Sequence, residues 1–225
     1  EPRFLLSQES RLRDLAIYMS CLRAIAGGAT RLNEIAQRAG KARSEEARPF
    51  LETLEEMGLV ERRYPVTGAP GKKVSYAIAD PFLRFWFRFV RPFASGLETG
   101  LEPADLWTAE VEPAFAEHIA PAFEVLCQRW VRANLGGEAS KVGSWWGPAL
   151  NELRARHERE TEEIDVVGLH RGRGSVVGEC KWTGKPISFS LLGEIEKYKL
   201  PARAQRGARI GRDGPLIVLF SRSGF

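Results

Sequence analysis

The sequence predicts two small domains of mixed class, an N-terminal winged helix-turn-helix domain of the α+β kind followed by an α/β domain. Three observations lead there. Three short amphipathic helices run into a β-hairpin within residues 11–78, strand-like segments alternate with helical text from residue 105 to the end, and an aperiodic stretch rich in glycine and proline separates the two. The boundaries expected from this pattern are 1–93 for the winged helix with a trailing aromatic helix, 94–104 for a linker, and 105–225 for the α/β domain. At 225 residues, 44% of them hydrophobic, the chain is long enough to bury a core in each part.

Leu12, Leu15, Ala16, Met19, Leu22 and Ile25 share one helical face, and Gly27-Gly28 stops that helix. Thr30 caps a second helix with Leu32, Ile35 and Ala36 inward. Ser44, followed by Glu45 and Glu46, caps a third that turns Leu51, Leu54 and Met57 inward and closes at Gly58. Leu59–Tyr64 and Val74–Ile78 flank a proline and glycine turn and make the wing. Asp80-Pro81 starts an aromatic helix whose Phe82, Phe85, Trp86 and Phe89 follow i, i+3, i+4, i+7 spacing and are expected in the core.

Beyond the linker, a helical segment carries Phe115, Ile119, Phe123, Leu126 and Trp130, with Glu124 beside that stripe; Pro113 and Pro121 are expected to split it. Strands are expected at Lys141–Trp146, Glu163–Leu169, Val176–Trp182 and Leu216–Ser221, with a helix near Phe189–Leu200. Of Trp145 and Trp146, one should be buried. Arg203, Arg206, Arg209 and Arg212 read as a solvated basic run or the border of a phosphate track.

The chemistry gathers in two strands joined by a tight Arg-Gly turn. Alternation places Glu179 and Lys181 on one face and Cys180 and Trp182 on the other, and Asp165, with thirteen residues between it and Glu179, falls across the hairpin from that face. Two carboxylates with a backbone carbonyl hold a hard divalent cation, and a neighbouring lysine orients water or stabilises charge on phosphorus. The expected catalytic set is Asp165, Glu179, Lys181 and an auxiliary Glu124, with Mg²⁺ or Mn²⁺ on Asp165 and Glu179. A face bearing cross-strand ion pairs accounts for the same residues without chemistry.

The order Asp165, thirteen residues, Glu179-x-Lys181 resembles the PD-(D/E)xK motif of restriction-endonuclease-like nucleases, with Ile164 standing where that motif has proline. The larger phrases YAIADPFLRFWFRFV (76–90), EHIAPAFE (117–124), GSWW (143–146), EEIDVV (162–167), GECKW (178–182) and LIVLFSRSGF (216–225) resemble the C-terminal half of archaeal-type P-loop ATPases. In that family an AAA+-like ATPase domain precedes a winged helix and a nuclease-like domain. The resemblance covers roughly residues 5–225 and implies a restriction-endonuclease-like α/β fold, with the family's acidic and basic positions on Glu124, Asp165, Glu179 and Lys181. It also implies a P-loop ATPase domain of the same parent protein as partner, which agrees with a first residue that is Glu1 rather than Met. No G-x-x-x-x-G-K-[ST] occurs, so no ATP site of the P-loop kind is expected in this chain.

Net charge is +4 but uneven, +5 over 1–94, −8 over 95–170 and +7 over 171–225, and the basic ends point to polyanions. DNA is the expected partner. The third helix carries Lys41, Arg43 and Arg48 near its start but Glu45, Glu46, Glu52, Glu55 and Glu56 along its length, so the wing, with Arg62, Arg63, Lys72 and Lys73, is the expected nucleic-acid surface. The three cysteines are far apart and lack metal-ligand spacing, no signal peptide opens the chain, and no apolar run reaches the roughly 20 residues of a membrane span; a cytoplasmic protein without membrane attachment is expected. The leading function is DNA binding with metal-dependent phosphodiester cleavage. The alternative is a non-catalytic nucleic-acid or protein-interaction module that directs a P-loop ATPase.

Overall fold

The computed structural model describes residues 14–68, 74–205, 207, 209 and 214–225. They fall into two compact units, one drawn from 14–63 and 74–113, the other from 64–68 and 114–225.

The first unit is a winged helix. Helices α1 (Leu15–Ala26), α2 (Leu32–Arg38) and α3 (Ser44–Glu56) precede an antiparallel hairpin, β1 (Val60–Arg63) with β2 (Ser75–Ile78). The start of α2 is fixed by Glu34, whose carboxylate accepts the backbone N–H groups of Thr30 and Arg31 at 3.1 and 3.2 Å, satisfying donors that the first turn leaves open. Leu22, Ile35, Leu51, Leu54 and Val60 form the buried centre. Asp80 caps α4 (Pro81–Phe85) by accepting the Leu83 N–H at 2.8 Å, as the Asp-Pro pair predicts.

The aromatic stripe holds in part. Trp86 and Phe89 are buried as expected, but Phe82 at the start of α4 is exposed, and a π-helical turn at Trp86–Val90, with its wider winding, brings Phe87 into the core beside them. Residues beyond it are also helical: a short 3₁₀ turn (Arg91–Phe93), α5 (Ala94–Glu98), α6 (Pro103–Leu106) and a second π turn (Trp107–Val111).

The second unit is α/β. Helix α7 (Glu112–Asn134) leads to a four-stranded sheet in the order β3-β4-β5-β6, made of β3 (Lys141–Pro148), β4 (Thr161–His170), β5 (Arg173–Lys181) and β6 (Leu216–Ser221). A short α8 (Asn151–Ala155) lies between β3 and β4. The first three strands are antiparallel neighbours and β6 runs parallel to β5, a pairing that needs a crossover. The crossover holds α9 (Ser190–Glu194), a third π turn (Ile195–Lys199) and α10 (Leu200–Ala204). The sheet has a cluster on each side: Cys127 and Val131 of α7 pack with Val166, Val176 and Cys180, and Ile195 and Ala202 of the crossover pack with Trp145, Val167 and Val177.

Three expectations are corrected in this unit. Helix α7 is continuous through Pro121 rather than split, because its C-terminal half is pinned to the sheet: Gln128 Nε2 donates to the Asp165 carbonyl at 2.8 Å and Arg132 Nη2 to that of Val142 at 3.0 Å. Its buried residues are His118, Cys127 and Val131, leaving Leu126 and Trp130 exposed. Arg203 is not solvated; it is 1% exposed, with its guanidinium against Gly174. Arg206 and Arg212 lie outside the described residues.

Candidate functional site

The register of β4 on β5 pairs Val166 with Gly178, so one step further along each strand Asp165 comes opposite Glu179. Gly178 is required at that crossing. A Cβ there would stand 2.6 Å from Val218 Cγ2 and 2.7 Å from the Val218 carbonyl, so only glycine lets β6 approach β5. The strand that carries Glu179 and Lys181 is thereby clamped between two neighbours.

Glu179 is fully buried, and Asp165 and Lys199 are each 9% exposed. Lys181 Nζ lies 3.0 Å from Glu179 Oε2, and Lys199 Nζ lies 2.7 Å from Glu179 Oε1. Lys199 also donates to the Glu163 carbonyl at 2.6 Å and stands 3.9 Å from Glu162 Oε1. Asp165 Oδ2 accepts the Cys180 N–H at 2.8 Å. Burial, with the nearby charge of Glu179 second, pushes the Asp165 carboxyl above the usual carboxylate range. Burial alone would lower the Lys181 ammonium, but the charge of Glu179 and the hydrogen bond to it carry the value upward.

Cys180 turns away from this cluster, as the alternation predicts, and packs on Cys127 of α7. The Cys180 thiol donates to Cys127, which raises Cys180 and lowers Cys127. The charges of Asp165 and of Glu124 on α7 act on both thiols, raising them. The sequence reading missed Lys199. Its signal is a lysine in an otherwise apolar stripe, Ile195, Lys199, Ala202, at i, i+4, i+7 spacing.

Two buried carboxylates are the ligand type that a hard cation such as Mg²⁺ takes, with waters in its remaining positions. Among the described residues no group of three or more His, Cys, Asp or Glu is placed to hold a metal ion.

On the wing, Arg62 Nε lies 2.8 Å from Glu55 and Arg62 Nη2 3.5 Å from Glu52, both on α3, and Arg63 Nη2 lies 2.6 Å from Glu61. The two described wing arginines are therefore each paired with a carboxylate. Lys72 and Lys73 lie outside the described residues. Near the start of α3, Lys41 stands over the Phe50 ring at 5.1 Å and Arg43 is exposed.

Comparison with known proteins matches two segments of the chain. Residues 15–63 match the IclR helix-turn-helix domain. That span is α1 to β1. Residues 86–192 match a family described as archaea bacterial proteins of unknown function; the match takes in Glu124, Asp165, Glu179 and Lys181 and stops short of Lys199. An uncharacterized protein of Methanocaldococcus jannaschii is 28% identical over 189 residues, covering 81% of this chain and 39% of that protein. The chain thus spans about two fifths of the length of this curated relative. Among the described residues no helix is long and apolar enough to cross a membrane.

Proposed function

We propose that this chain is a DNA-binding module whose α/β unit hydrolyses phosphodiester bonds with a divalent cation held by Asp165 and Glu179. The observation that carries the reading is Glu179, fully buried opposite Asp165 on paired strands, with the partly exposed side chain of Lys181 on one of its oxygens. The helix-turn-helix match supports DNA as the substrate polymer. A bound cation would polarise the phosphate and lower the pKa of its water.

The chain's own residues do the rest. Asp165 is held in place by the Cys180 N–H, which fixes its Oδ2 and leaves Oδ1 as the oxygen for the cation in this reading. Lys181 reaches solvent with 36% of its side chain exposed, which lets it turn from Glu179 toward a phosphate oxygen and stabilise the charge that builds there. Glu124 serves as an auxiliary acid from α7. The relative's greater length supports a parent protein with a further domain, for which a P-loop ATPase is our reading. Three free, buried cysteines support a reducing compartment such as the cytoplasm.

A second reading is favoured by one observation. Both oxygens of Glu179 already hold a lysine, which suits a non-catalytic module whose carboxylates are structural. Cleavage of plasmid and single-stranded DNA with Mg²⁺ or Mn²⁺ decides. Under the nuclease reading, Asp165→Ala and Lys181→Ala each lower cutting by about a hundredfold or more while DNA binding persists. No cutting by the wild-type chain, with DNA binding intact and insensitive to both substitutions, selects the module.

A further inference from the structure

The two lysines on Glu179 are not equivalent. Lys181 meets Oε2 from the strand itself and keeps 36% of its side chain in solvent. Lys199 meets Oε1 from across the sheet face with only 11% of its side chain exposed; it also donates to the Glu163 carbonyl, and Glu162 stands 3.9 Å away. An ammonium that donates to two acceptors and is screened from solvent is held in place; one with a single partner at the solvent boundary is free to leave. Lys199 also sits on a π-helical turn, where the wider winding sets the position of its side chain over the sheet. Its neighbour on that face, Ile195, is fully buried, so the helix cannot shift without opening the core.

Resting on the cation-dependent reading above, we propose that Lys199 is a positioning residue that holds Glu179 by Oε1 and so presents Oε2, the oxygen shared with Lys181, to the divalent cation. Lys181 and the cation are alternatives on Oε2, whereas Lys199 stays in place throughout. The assignment makes the effects of the two lysines on metal affinity opposite in sign. Removing Lys181 frees Oε2 and tightens binding. Removing Lys199 unlocks the carboxylate, leaves a buried charge short of a partner, and weakens it; partners of metal-bound groups typically account for about 10- to 100-fold in affinity.

The test is Mn²⁺ binding by the whole chain, read from the electron paramagnetic resonance signal of free Mn²⁺, for wild type, Lys181→Met, Lys199→Met and Lys199→Gln, with thermal unfolding as a control. The expected result is tighter binding for Lys181→Met, binding about tenfold weaker for Lys199→Met, and partial recovery in Lys199→Gln, whose amide still donates to Oε1. If Lys199→Met does not fold, Lys199→Gln carries the comparison and is expected to fall between wild type and non-binding. Wild type that binds Mn²⁺ while the Lys199 variants bind as tightly or more tightly overturns the positioning role and leaves the nuclease reading standing. Wild type that binds no Mn²⁺ removes both.

Discussion

Asp165 is a carboxylate kept in a place that disfavours its charge. Its value is raised by burial first and by Glu179 second, so the folded chain holds a proton there over a pH range in which the unfolded chain has lost it. The sign follows from linkage. Where the native state binds more protons, stability falls as pH rises, here from the ordinary aspartate value of about 3.9 up through the raised folded value. Asp165→Asn keeps an oxygen for the Cys180 N–H and cannot ionise. Urea unfolding at pH 4 and pH 7 should therefore show the variant gaining on the wild type as pH increases; an equal difference at both pH values would contradict the assignment. Three members of this cluster were legible because strand alternation and spacing are local properties. Lys199 was not, since it joins from a separate helix eighteen residues after Lys181, and only the crossover packing of the folded unit brings it to Glu179.

At the level of elements, the sheet depends on close approaches that sequence periodicity does not express. Gly178→Ala puts a methyl group against the Val218 backbone and should destabilise the chain by about 1–3 kcal/mol, measured by denaturant unfolding, with β6 the strand displaced. The positions of the strands could be read from their apolar alternation and turn residues, and all four expected segments are strands. Helix phase was harder to read. Periodicity of 3.6 placed Trp86 and Phe89 in the core correctly but also Phe82, which is exposed, and it passed over Phe87, which the π turn at Trp86–Val90 buries; a turn of this kind leaves no mark in composition. Pro121 misled in the other direction. A proline within a helix costs about 3 kcal/mol by itself, yet α7 continues through it, held by the burial of Cys127 and Val131 and by the bonds of Gln128 and Arg132 to the sheet.

On the scale of the whole molecule, the uneven charge of the sequence resolves into specific surfaces. The wing arginines that the sequence assigns to nucleic acid are paired with Glu52, Glu55 and Glu61, and Lys41 and Arg43 are two further cations near the start of α3. DNA affinity should fall with salt. If the contact runs through the start of α3, Lys41→Ala and Arg43→Ala each reduce the slope of log affinity against log salt by about one and Arg62→Ala leaves it nearly unchanged; the reverse pattern places the contact on the wing. Each unit also carries its own concealed thiols. Cys21 is fully buried in the winged helix with its thiol pushed up to about 11, and Cys127 and Cys180 are buried between α7 and the sheet. A bulky thiol reagent thus reacts with a unit only while that unit is open, and its labelling rates at Cys21 and Cys180 clock the opening of the two halves separately, in one sample and without a denaturant.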